Sequence, residues 1–100
     1  MKIQILDEAD ADLVAGFHFY EAQEKELGWY FLDSLFSDID SLLLYAGVHE
    51  LVHGYFRCLA KRFPFAIYYS VADQTVSVHA VLDCRRNPSW IKKRLTGETP

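Results

Sequence analysis

The chain has 100 residues, is half hydrophobic and rich in aromatics, and carries a net charge of −4. That length is one domain's worth, with enough apolar side chains for a real core and nothing of the composition of a disordered chain. No apolar run approaches the roughly 20 residues of a membrane span, and residues 1–7 lack the apolar segment of a signal peptide, so a soluble, cytoplasmic protein with no membrane partner is expected.

Ile3 and Ile5 place β-branched side chains at alternate positions, a short first strand. Asp7 then opens a helix, with Glu8, Asp10 and Asp12 in its first turns, where the helix dipole favours negative charge. Leu13, Phe17, Tyr20 and Leu27 form its apolar stripe, and Gly28 is expected to break it. A second helix follows, with Leu32, Leu35, Phe36, Ile39, Leu42, Leu43 and Ala46 at spacings of three and four and Gly47 as its C-terminal stop. Asp33, Asp38 and Asp40 are read with the other helix carboxylates as solvated surface. Two such helices form an antiparallel hairpin whose apolar side packs on a sheet.

Residues 48–53 read as a connection, and three strands follow. Because successive strand side chains face opposite ways, Phe56, Cys58 and Ala60 share one face, and Tyr55, Arg57, Leu59 and Lys61 the other. In the next strand Phe65, Ile67, Tyr69 and Val71 form the core set, leaving Ala66, Tyr68 and Ser70 outside. In the third, Val76, Val78, Ala80 and Leu82 point inward, and Thr75, Ser77, His79, Val81 and Asp83 outward. Short connections make the three antiparallel neighbours. Pro88 and Trp90 introduce a short helix over residues 89–95, and residues 97–100 are a frayed tail. The expectation is an α+β fold, strand, two helices, three strands and a terminal helix, with the hairpin packed on a mainly antiparallel sheet.

Charge is divided along the chain. Residues 1–50 hold eleven Asp or Glu against two Lys, for −9; residues 51–100 hold eight Lys or Arg against three acids, for +5. Such a split points to two faces with different partners. The basic half carries Arg57, Lys61, Tyr68 and His79 on one sheet face, with Arg62, Arg85 and Arg86 near strand ends. Arginine can grip phosphate or carboxylate with two hydrogen bonds, and tyrosine can stack on a base. The same cluster suits an acidic protein segment.

Two other patterns carry less. His49-Glu50-Leu51-Val52-His53 matches H-E-x-x-H, but that zinc pattern works on a helix, and here Gly47 and Gly54 bracket it and a strand follows. A loop with two exposed histidines is expected, with no metal and no cofactor. Cys58 and Cys84 are too few for a disulfide framework and read as two reduced thiols in a packed sheet.

The stretch Lys61-Arg62-Phe63-Pro64-Phe65-Ala66-Ile67-Tyr68-Tyr69, followed by Val81-Leu82-Asp83-Cys84-Arg85-Arg86-Asn87-Pro88 and Trp90, resembles the RelE/ParE superfamily of bacterial toxins, most closely its ParE-like, plasmid-stabilisation branch. Phe19-Tyr20-Glu21 with Gln23, and Gly28 with Phe31-Leu32, extend the resemblance over essentially the whole chain. It implies a type II toxin–antitoxin module in which a cognate antitoxin silences the toxin. ParE-like members inhibit DNA gyrase; RelE-like members cut mRNA in the ribosome without a metal. By resemblance, Arg57, Lys61, Arg62, Arg85, Arg86 and Trp90 would form the target-binding surface. The nuclease alternative would use Arg57, Lys61, Tyr68, His79 and Arg85, but the terminal Tyr or His of active RelE-like enzymes has no counterpart among Asn87, Pro88, Ser89 and Trp90. The net acidity leaves a third expectation, a detoxified module that keeps antitoxin binding.

Overall fold

The computed structural model describes residues 1–97. Strand β1 (Lys2–Ile5) leads into α1 (Asp7–Gln23), α2 (Leu27–Asp40) and a one-turn α3 (Leu42–Tyr45). Strands β2 (Glu50–Val52), β3 (Tyr55–Leu59), β4 (Phe65–Ala72) and β5 (Thr75–Asp83) follow, and α4 (Pro88–Thr96) closes the described chain. The five strands form one sheet in the order β1-β5-β4-β3-β2. Only the β1–β5 pair is parallel; the other three are antiparallel. The α+β architecture is therefore the expected one, with one strand more. Residues 48–53 hold β2, joined to β3 by a two-residue turn with positive φ at His53 and Gly54, the primed geometry that matches strand twist.

The helix break lies earlier than Gly28. The chain turns over Glu24 to Glu26, with Glu26 in the left-handed region at φ 76°. Glu21 makes this turn possible: its carboxylate accepts the free N–H groups of Glu26 and Gly28 at the start of α2, at 3.0 and 2.9 Å. Gly28 lies inside α2, where a Cβ would stand 2.6 Å from the Phe17 carbonyl oxygen, so its role is close helix contact.

The hairpin buries Leu13, Tyr20, Phe31, Leu35 and Ile39 against Phe65, Ile67, Tyr69, Val76 and Val78. A second, smaller cluster lies on the opposite sheet face, where Leu95 and Ile91 of α4 cover Ala66, Tyr68, Ala80 and Leu82. Sequence parity fails in the middle of β5. Tyr68 pairs with Ala80 but Tyr69 pairs with Val78, so His79 is an extra residue, a β-bulge. The inserted residue reverses the alternation: Val81 joins the hairpin core, and Ala80 and Leu82 move to the face under α4. Val71, assigned to the core by parity, lies exposed near the β4–β5 turn. The carboxylate reading also needs correction at two positions. Asp38 is only 5% exposed and accepts the Lys61 backbone N–H at 3.1 Å, and Asp12 is paired beneath α4. No described helix is long and apolar enough to cross a membrane. Of the expected frayed tail, Gly97 ends α4 at φ 73°, and residues 98–100 lie outside the described residues.

Candidate functional site: the basic end of the sheet

The Cys84 N–H donates to the Pro64 carbonyl at 2.8 Å. That bond ties the segment after β5 to the β3–β4 loop, and so brings Lys61 and Arg62 to the same end of the sheet as Arg85 and Arg86. Lys61 and Arg62 are exposed on the loop. Because β3 ends at Leu59, strand parity does not extend to Lys61, whose position is set by its N–H bond to Asp38 on α2.

The candidate residues do not converge on one face. Arg57 stands directly across from Tyr68 on the α4 side. Tyr68 is 2% exposed; burial pushes its hydroxyl pKa up, and the Arg57 guanidinium acts in the opposite direction. It lies under α4 instead of on an open face. His79 projects from the bulge, with Nε2 2.8 Å from the Ser70 hydroxyl and its ring against Tyr55. Burial pulls its pKa down, which favours neutral imidazole. His79 also borders a cleft of about 460 Å³ with Glu8, Tyr55 and Arg94.

Arg85 belongs to the other side. Asp83 pairs with Phe65, a hairpin-core residue, and so faces the hairpin. The Asp83 carboxylate accepts the Arg85 backbone N–H at 2.8 Å, Nε at 2.9 Å and Nη2 at 2.7 Å. Arg85 Nη2 also lies 3.5 Å from the Tyr20 hydroxyl on α1. These contacts raise the guanidinium pKa further and hold the Asp83 carboxyl below the usual carboxylate range. Sequence reading placed Asp83 as an ordinary outward strand residue; its position two residues before Arg85 was the available signal.

Arg86 lies over the Trp90 ring, 3.8 Å from its centroid, a cation–π contact that fixes both side chains. Trp90 and Phe19, which is 53% exposed, border a groove of about 300 Å³ between α1, the end of β5 and the start of α4. Asn87 caps α4 by accepting the Ser89 N–H, and Pro88 occupies the first turn, which places Trp90. Among the described residues, ion pairs are formed by Arg85 with Asp83 and by Arg94 with Glu8 and Asp12. Arg57, Lys61, Arg62 and Arg86 form none there.

The H-E-x-x-H residues lie on a loop, β2 and a tight turn, so the one-face helical geometry of a zinc site is not formed. His49 is half-buried, not exposed. The Tyr69 hydroxyl accepts the Gly47 N–H at 2.9 Å and contacts His49 Nδ1. Among the described residues no group of three or more His, Cys, Asp or Glu could hold a metal. Cys58 is buried in the sheet, whereas Cys84 lies exposed just beyond β5; both thiols are free.

The chain is similar in fold to a solved structure described as the chromosomal ParDE TA system from P. aeruginosa, with a TM-score of 0.73 and 19% identity over 81% of this chain and 92% of that one. At that identity the likeness is one of fold. No family model and no curated protein matches the sequence.

Proposed function

We propose that the protein is the toxin of a type II toxin–antitoxin module, silenced by a cognate antitoxin, and that it acts in the ParE-like manner by binding DNA gyrase. The supporting observation is the set of cations Arg57, Lys61, Arg62 and Arg86, which form no ion pair among the described residues, together with the seating of Arg86 over Trp90. The fold it shares with the ParDE structure supports the module assignment. Binding needs charge and an aromatic anchor at a surface, and both are present.

The competing reading, a ribosome-dependent mRNA endonuclease, needs a general acid or base beside its arginines. Three features count against it: Tyr68 is covered, His79 is engaged by Ser70, and Arg57 and Arg85 serve opposite faces.

Induced expression without antitoxin is expected to arrest growth with a DNA-damage response. Purified protein is expected to inhibit gyrase supercoiling, and Arg62→Glu with Arg86→Glu to weaken that inhibition at least about ten-fold. Unimpaired supercoiling over a wide concentration range overturns the gyrase reading. Ribosomal mRNA cleavage on induction assigns the nuclease reading, and harmless expression a detoxified module.

A further inference from the structure

Among the described residues, Arg85 is the one cation of the basic end whose side chain forms an ion pair. Asp83 takes its Nε and Nη2 edge, the fork that matches a carboxylate or a phosphate. The pair is nevertheless accessible: the side chains are 58% and 25% exposed, for Arg85 and Asp83. An exposed ion pair is worth little, because water competes for both partners. It is therefore a contact that an incoming anion can exchange.

We propose that Asp83 is a positioning residue that occupies the Arg85 fork in the free protein and yields it to a carboxylate of an acidic protein segment on binding. This rests on the reading that the basic end receives a partner.

The surroundings favour an acidic protein segment over nucleic acid. The group now seated in the fork is itself a carboxylate. Arg85 is held toward α1, where its Nη2 lies 3.5 Å from the Tyr20 hydroxyl. The adjoining groove offers Phe19, Phe65 and Trp90, which suit apolar side chains next to the anchored acid. Arg86, fixed over Trp90, stands ready for a second carboxylate. The internal pair also confers specificity: a single weak anion gains nothing by replacing Asp83, whereas a segment that fills the groove does.

The test uses the full chain, a fluorescent glutamate octapeptide and a single-stranded RNA hexamer as probes. Asp83→Asn keeps an acceptor for the Arg85 N–H but removes the charge. It is expected to tighten octapeptide binding about two- to five-fold, a gain that vanishes in Asp83→Asn with Arg85→Gln. In the wild-type protein, independently of any variant, the Arg85 Nε–Hε NMR resonance is expected to shift as octapeptide is added. Unchanged or weaker octapeptide binding by Asp83→Asn, or an Arg85 resonance that ignores the peptide, overturns the proposal. A larger gain for the RNA hexamer overturns the acidic-segment assignment in favour of nucleic acid. Wild-type protein that leaves gyrase untouched, together with an octapeptide gain in Asp83→Asn, sinks the gyrase reading alone.

Discussion

Arg94 grips both carboxylate oxygens of Asp12, a residue 82 positions earlier, at 2.8 and 2.7 Å. The same carboxylate accepts the Val81 N–H at 3.0 Å, two residues past the bulge and beyond the reach of β1, whose pairing ends at Val78. One side chain thus satisfies an edge donor of β5 and fastens α4 to α1. Glu8 adds a longer contact to Arg94 at 3.5 Å.

Removing that carboxylate has two costs. Asp12→Ala leaves the Val81 N–H without its acceptor and Arg94 without its closest partner in a largely covered site. A loss of about 2–4 kcal/mol in urea unfolding is expected. Arg94→Ala is expected to cost less, because the Val81 bond survives. A double-mutant cycle should return a coupling of about 1–2 kcal/mol; a coupling near zero would show that the two act separately.

Gly28 gives a sharper test of helix contact. Alanine is the better helix former by about 1 kcal/mol, so on propensity alone Gly28→Ala should stabilise. Its Cβ, however, would lie 2.6 Å from the Phe17 carbonyl oxygen and 2.8 Å from Glu21 Cβ, which forces the helices apart. A net loss of about 1–3 kcal/mol and a lower Tm are expected. A raised Tm would mean that the hairpin accommodates the methyl group.

His79 should make stability depend on pH. Burial lowers its folded pKa below the usual value, with Glu8 acting the other way. The folded state then binds the proton less readily than the unfolded chain. This contribution is complete above the unfolded pKa of about 6.5 and is lost as pH falls through it toward the folded value. Between pH 7.5 and 5.5 the wild-type protein should lose stability more steeply than His79→Gln. An imidazole NMR titration should give a midpoint below 6.5; one at or above 6.5 would refute the assignment.

Sequence alone carried the fold class. The periodicities of 3.6 in residues 7–46 and of 2 in residues 55–83 are local properties, set by which side chains must leave water together. The residues of the basic end were legible in the same way, as an excess of cations in the second half of an acidic chain. Their arrangement was not. Alternation along a strand holds only while pairing is regular, and the bulge at His79 reverses it, which moved Val81, Ala80 and Leu82 between faces. Strand β2 was missed because three residues carry little periodic signal and gain their pairing from β3. Asp12 and Asp38 read as surface carboxylates because their partners, the Val81 and Lys61 N–H groups and Arg94, are far away in sequence. Whether Arg85 is free or held, and which sheet face it serves, was likewise decided by tertiary structure. A charge is visible in one residue, but its compensation depends on groups that only folding brings within hydrogen-bonding distance.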